Sequence, residues 1–159
     1  MSLSKFIRRL RSIDEKGRFK LINIVNSQRN EIIKKNKENL AGGKLSTGGD
    51  ITNLNDRDVE STGRTNSYSS SYLASREVRA KKKQTEYVDL RLTGQYYKSI
   101  KYQKTPRGGK ISSNDPKEKY IDERYGEDTL GLQEEQLQEI AEKSAEMLSQ
   151  YIVKQLTNI

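Results

Sequence analysis

Between Glu86 and Tyr102 the chain reads EYVDLRLTGQYYKSIKY, and its apolar spacing changes along the way. Tyr87, Asp89 and Arg91 alternate with Val88, Leu90 and Leu92, a period of two that sets one face of a strand on a core and the other in water. Thr93-Gly94 breaks the run, and Thr93 suits a helix N-cap. Gln95 to Ile100 is expected to form a short turn of helix, followed by a second extended run through Tyr102. Pro106 and Gly108-Gly109 then predict the tip of a hairpin.

Helical spacing governs both ends of the chain. Ser4 can cap a short helix with Phe6, Ile7, Leu10 and Ile13 on one side, closed near Gly17. A second helix is expected from about Arg18 to Asn39, with Leu21, Val25, Gln28 and Ile32 on one stripe and a polar tail from Lys34 that should protrude or fray. Ser71 to Lys83 can form another. Asn114-Asp115-Pro116 predicts a helix start, with Pro in the first turn and an end at Tyr125-Gly126. The strongest pattern runs from about Leu132 to Leu156, where Leu137, Ile140, Ala141, Met147, Leu148, Tyr151, Ile152 and Leu156 form a wide apolar stripe. Glu134, Glu135 and Glu139 near its start and Lys154 near its end suit the helix dipole. Residues 41–71 carry few apolar side chains and two Gly-Gly pairs, which reads as an extended arm or long loop, with room for a short hairpin. These elements make one α+β domain over residues 1–159: a small antiparallel sheet flanked by N-terminal helices and a long C-terminal helix.

Composition changes this picture in one respect. Hydrophobic residues are 31% of the 159 and charged residues 33%, so the private core should be thin and burial shared with neighbouring subunits. The net charge of +8 is uneven: Met1–Asn114 holds 25 Lys/Arg against 11 Asp/Glu, or +14, while Asp115–Glu146 holds 4 against 11, or −7, and Lys154 adds +1. Such asymmetry points to nucleic acid nearby or to head-to-tail contact between copies. No apolar run approaches the ~20 residues of a membrane span and no apolar signal core opens the chain, so it is expected to stay soluble where it is made.

Candidate chemistry is sparse. The chain has no Cys and no His, which removes disulfides, thiolate and imidazole metal ligands and the commonest general base. Gly42-Gly43-Lys44 and Gly108-Gly109-Lys110 lack the spacing of a phosphate-binding loop, and Asp56-Arg57-Asp58-Val59-Glu60 lacks the glycine and distal Glu of a calcium loop. No catalytic residue, metal or cofactor is expected. A carboxylate enzyme working through Asp122 and Glu127 ranks last among the readings. Five cations between Lys98 and Lys110 with no acid among them make the hairpin basic. Tyr87, Tyr96, Tyr97 and Tyr102, four of nine tyrosines, fit a core or interface better than base stacking.

Leu92-Thr93-Gly94-x-x-Tyr97-x-Ser99-Ile100 resembles the signature of small structural proteins of tailed bacteriophages, namely the neck, head–tail connector and tail-completion proteins. Tyr68-Ser69-x-x-Tyr72-x-x-x-Arg76 ahead of Val88-Asp89-Leu90, and Tyr125-Gly126-x-x-x-x-Gly131-Leu132 ahead of the last helix, look like versions from phages of Bacteroidetes hosts. The resemblance spans roughly Leu21 to Leu156. It implies a non-enzymatic virion protein, made in the cytoplasm of the bacterial host. Copies would assemble as a ring at the head–tail junction, beside portal, connector or tail proteins, with genomic DNA passing nearby and no membrane. Thr93, Gly94, Tyr97, Ser99 and Ile100 would shape the central turn and subunit interface, and Lys104, Arg107 and Lys110 would face DNA or a partner ring. A small basic nucleic-acid-binding protein, acting as monomer or dimer, is the alternative.

Overall fold

The computed structural model describes residues 16–54, 68, 74, 87–90 and 94–157. Within them the chain is α+β, with five helices and a two-stranded antiparallel sheet. Residues 16–27 form α1 and Arg29–Ala41 form α2. A short helix α3, Gln95–Ser99, leads into β1, Lys101–Thr105, and β2, Gly108–Ser112. Helix α4 spans Glu118–Tyr125, and a 3-10 turn at Glu127–Thr129 precedes the long helix α5, Glu134–Thr157. The expected helices at Ser4–Ile13 and Ser71–Lys83 and the acidic run Asp56–Glu60 lie outside the described residues, apart from Ala74, which is helical.

The single helix expected over Arg18–Asn39 is two helices meeting at Gln28. There the Gln28 amide donates to the Val25 carbonyl, three residues back, instead of four. The second half runs on to Ala41 and stops where the Gly43 amide donates to Leu40 O and the Lys44 amide to Asn39 O, the paired bonds that close a Schellman cap.

Helices α1 and α2 together lie antiparallel to α5, as the contacts show: Lys20 stands 5.3 Å from the Tyr151 ring, Gln28 Nε2 donates to Ser144 Oγ at 2.7 Å, and Lys35 pairs with Glu139. Asn39 and Gln136 then exchange two side-chain hydrogen bonds at 2.8 Å each. The polar tail of α2 was expected to protrude, and the structure reverses this. Asn36 is 1% exposed and donates through Nδ2 to the carbonyls of Thr129 and Gly131, which have no helical partner of their own. Asparagine on the buried stripe is tolerated because it satisfies loop carbonyls that apolar side chains would have orphaned.

Two apolar clusters make the core. Leu40, Ile51, Tyr68, Val88, Tyr96, Ile100 and Tyr125 form the larger, while Ile32, Leu132 and Ile140 form the smaller, with Ile111 packed against both. Within the polar 41–71 stretch, Lys44 and Asp50 pair as an isolated bridge, and Ile51 and Asn53 are buried. Residues 44–54 thus fold back onto the body as a small hairpin.

The strand expected at 87–92 is absent from its described residues, 87–90. Val88 is buried as the alternation required, but so is Asp89, which the same alternation placed in water. The cause is a buried hydroxyl. Tyr68 Oη accepts from the amides of Asp89 and Leu90 at 3.0 and 2.7 Å and donates to Asp89 Oδ1 at 2.9 Å. Converging both amides on one oxygen turns Leu90 to φ +52°, a left-handed conformation that side-chain-bearing residues rarely adopt.

Candidate functional site

The β1–β2 ribbon carries the candidate site. Pro106-Arg107 is a two-residue turn, and the register sets Tyr102 opposite Ile111, Gln103 opposite Lys110 and Lys104 opposite Gly109. Opposed residues share a face. Tyr102 and Ile111 therefore point together into the body, where the Tyr102 hydroxyl donates to Asn26 Oδ1 at 2.9 Å. Burial raises the Tyr102 phenol above its ordinary pKa. A side chain at Gly109 would overlap the Tyr102 ring, so only glycine lets that ring lie flat across the ribbon.

Lys101, Gln103 and Lys110 share the outward face, Lys104 lies on the inward face near the tip, and Arg107 is in the turn. Lys98, Lys101, Lys104, Arg107 and Lys110 are all exposed. Among the described residues none of these cations has a carboxylate within ion-pair distance. The Asn114 amide, with its oxygen turned toward the ribbon, accepts from Lys101 Nζ at 2.6 Å. The proposed trio Lys104, Arg107 and Lys110 is thus brought to one ribbon end, but onto different sides of it.

The central-turn residues sit at the other end, the base of the ribbon. Gly94 has φ +75° with open space around it, so its requirement is backbone conformation alone. The Tyr97 hydroxyl donates to the Asp89 carbonyl at 2.7 Å, and its ring lines a shallow groove of about 440 Å³ with Ile33, Lys34, Lys37 and Ala41. Ser99 donates to the Tyr96 carbonyl and meets Ser113 Oγ at 2.7 Å, tying the end of α3 to the residue after β2. Ile100 is 4% exposed in the larger cluster. These residues anchor the ribbon, and Thr93 lies outside the described residues. The tyrosines are structural too: Tyr96 is buried and the Tyr87 hydroxyl donates to the Ala41 carbonyl.

Directly after β2 the charge changes sign. Asp115 caps the turn by accepting from the Lys117 amide, and Glu118 accepts from the Ser113 amide. On α4 and the 3-10 turn, Asp122 is raised from the ordinary carboxylate range by burial, then by repulsion from Glu118 and Glu127. Tyr120 stands among these acids 71% exposed. Among the described residues no group of three or more acids is arranged to hold a metal ion, and no helix is long and apolar enough to cross a membrane.

Sequence reasoning missed the Tyr68–Asp89 pair and the Asn36 seam. The only available signal was Tyr68 in an otherwise polar arm, and asparagines continuing the Ile32 stripe at spacings of four and three. No protein-family model, curated protein or solved structure matches this chain.

Proposed function

We propose that this chain is a non-enzymatic structural subunit of a tailed-phage virion, forming an oligomeric ring at the head–tail junction as a connector or tail-completion protein. One observation carries the oligomeric part: the fold leaves much of its own apolar stripe open. Leu137, Met147 and Leu156 on that stripe of α5 are 48%, 39% and 45% exposed, Val153 off the stripe is 58% exposed, and Phe19 on α1 is 70% exposed. Apolar side chains repeated along one long helix need a cover that the described residues do not supply. The phage part rests on the motif resemblance around Gly94, Tyr97, Ser99 and Ile100. The ring's neighbours would be portal, connector or tail proteins, with genomic DNA close by.

Sedimentation of the purified chain, together with peptide mass spectrometry of purified particles, tests this reading. The expected result is a discrete oligomer and its presence in virions. A strict monomer at high concentration that is missing from particles overturns it. The unpaired cations of the ribbon favour a second reading, a small basic nucleic-acid-binding protein. That reading requires duplex or single-strand binding whose affinity falls steeply with salt.

A further inference from the structure

We propose that the tip of the β1–β2 ribbon docks on the α4 surface of the next copy, with Arg107 stacked on the neighbour's Tyr120 and Lys104 and Lys110 facing the neighbour's Glu123 and Glu127. The contact rests on the ring reading and names the surfaces that close it.

Three observations meet here. The ribbon's cations are exposed and have no acidic partner among the described residues. The second observation is Tyr120, whose ring is 71% exposed on a helix otherwise rich in charge. A spacing of three places Glu123, which also meets Lys119 at 3.7 Å, on the same side of α4 as Tyr120, and Glu127, in the 3-10 turn that follows, lies close enough to Asp122 to repel it. An open aromatic face beside carboxylates suits a guanidinium, which stacks on the ring while its N–H groups reach the acids. The third is the crowding of Asp122, Glu118 and Glu127, like charges that a cation from outside would relieve.

Within one copy no ion pair joins the ribbon's cations to the acids of α4 or the 3-10 turn among the described residues. Strands of five residues hold the tip roughly 15 Å from the base, and α4 starts six residues after β2 ends at that base. Both the cations and the acids are thus left to pair between copies. Because plug and socket are different surfaces, the contact is heterologous and closes into a ring when its rotation permits. Nucleic acid would use the cations and leave Tyr120 and its acids uncovered, so a second copy accounts for more of the surface.

The test is charge exchange, read by sedimentation velocity on the full chain. One variant carries Lys104→Glu with Arg107→Glu, a second carries Glu123→Lys with Glu127→Lys, and a third carries all four changes. Either pair alone is expected to weaken self-association by at least roughly tenfold, and the fourfold variant to recover to within about threefold of the native chain. Tyr120→Ala should weaken it in the same direction with unchanged circular dichroism. Association untouched by both reversals overturns the contact while leaving the ring reading standing. So does a fourfold variant that stays dissociated, or ribbon reversal that abolishes only DNA binding. A native chain that never associates overturns the ring reading itself.

Discussion

Two buried tyrosines spend their hydroxyls in opposite ways. Tyr68 Oη is a three-way junction: it accepts from two backbone amides and donates to the buried Asp89 carboxylate, with its ring edge-on to Tyr125 at 6.5 Å. Tyr68→Phe keeps the ring and removes the acceptor, so it is expected to cost about 2–3 kcal/mol in urea unfolding, a loss larger than one average hydrogen bond. Tyr96 is 5% exposed, and its hydroxyl has beside it only that of Thr129, outside good hydrogen-bond geometry. Burial pushes its phenol up to about 12, with the nearby Thr129 hydroxyl pulling the other way. Between pH 10 and about 12 the unfolded chain ionises this group while the folded chain keeps it protonated. The unfolded state then binds fewer protons, so stability is full below pH 10 and falls as pH rises. The loss is roughly 2 kcal/mol across that span. Tyr96→Phe should flatten much of this slope in melts compared at about pH 8 and pH 11, leaving a smaller part of the same sign from Tyr102. At about pH 8 the variant is expected to match or slightly exceed the native chain, because a dry, poorly partnered hydroxyl is lost.

At the scale of elements, the ribbon and the helical seam depend on residues chosen for shape or for partner carbonyls. Gly109→Ala would drive a methyl group into the Tyr102 ring and break its bond to Asn26. A cost of about 2–3 kcal/mol in thermal unfolding is expected, compared with about 1 kcal/mol for Gly94→Ala, where only the left-handed backbone is strained. Asn36→Leu exchanges a buried amide for an isosteric apolar group and orphans the carbonyls of Thr129 and Gly131. It should destabilise by about 2–3 kcal/mol and loosen the α2–α5 pairing, visible as faster amide exchange in the loop before α5. By contrast, the ion pairs that cross the same helices are exposed. Glu31 is held below its usual carboxylate range chiefly by its hydrogen bond from Lys143, and Lys35 is raised by its bond to Glu139. Surface pairs of this kind are worth about 0–1 kcal/mol, so Lys143→Ala should change the melting temperature little.

For the whole molecule, two kinds of surface are left unfinished: exposed apolar side chains on α1 and α5, and a basic ribbon that makes no ion pair with the acidic helix among the described residues. They respond oppositely to salt. Contacts through the ribbon weaken as ionic strength rises, while apolar burial is unchanged or strengthened by excluded salts. Dissociation measured between about 0.05 and 0.5 M NaCl is therefore expected to lessen self-association, and ammonium sulfate at matched ionic strength to restore part of it.

Much of this architecture could be read before any coordinates. The long helix, the short turn Gln95–Ser99, the hairpin around Pro106 and the helix ending at Tyr125 each follow from spacing and turn chemistry within a few neighbouring residues. What was misread depends on distant partners. Asp89 lies inward because Tyr68, 21 residues earlier, meets it there. The α2 tail is held because Asn36 finds carbonyls more than 90 residues away. The placement of Lys104 and Lys110 on opposite ribbon faces needed the register, which the turn length decides.

The sequence alone determined the hairpin and the order of the helices about it, the missing imidazole and thiol chemistry, and the split of charge between the chain's two parts, because these are local or additive properties. Only the tertiary structure decided which polar groups could be buried, which tyrosines anchor the ribbon, and that the positive tip makes no ion pair with the negative helix among the described residues. Burial and ion pairing both depend on distances between residues remote in the chain, and those distances exist only once it has folded.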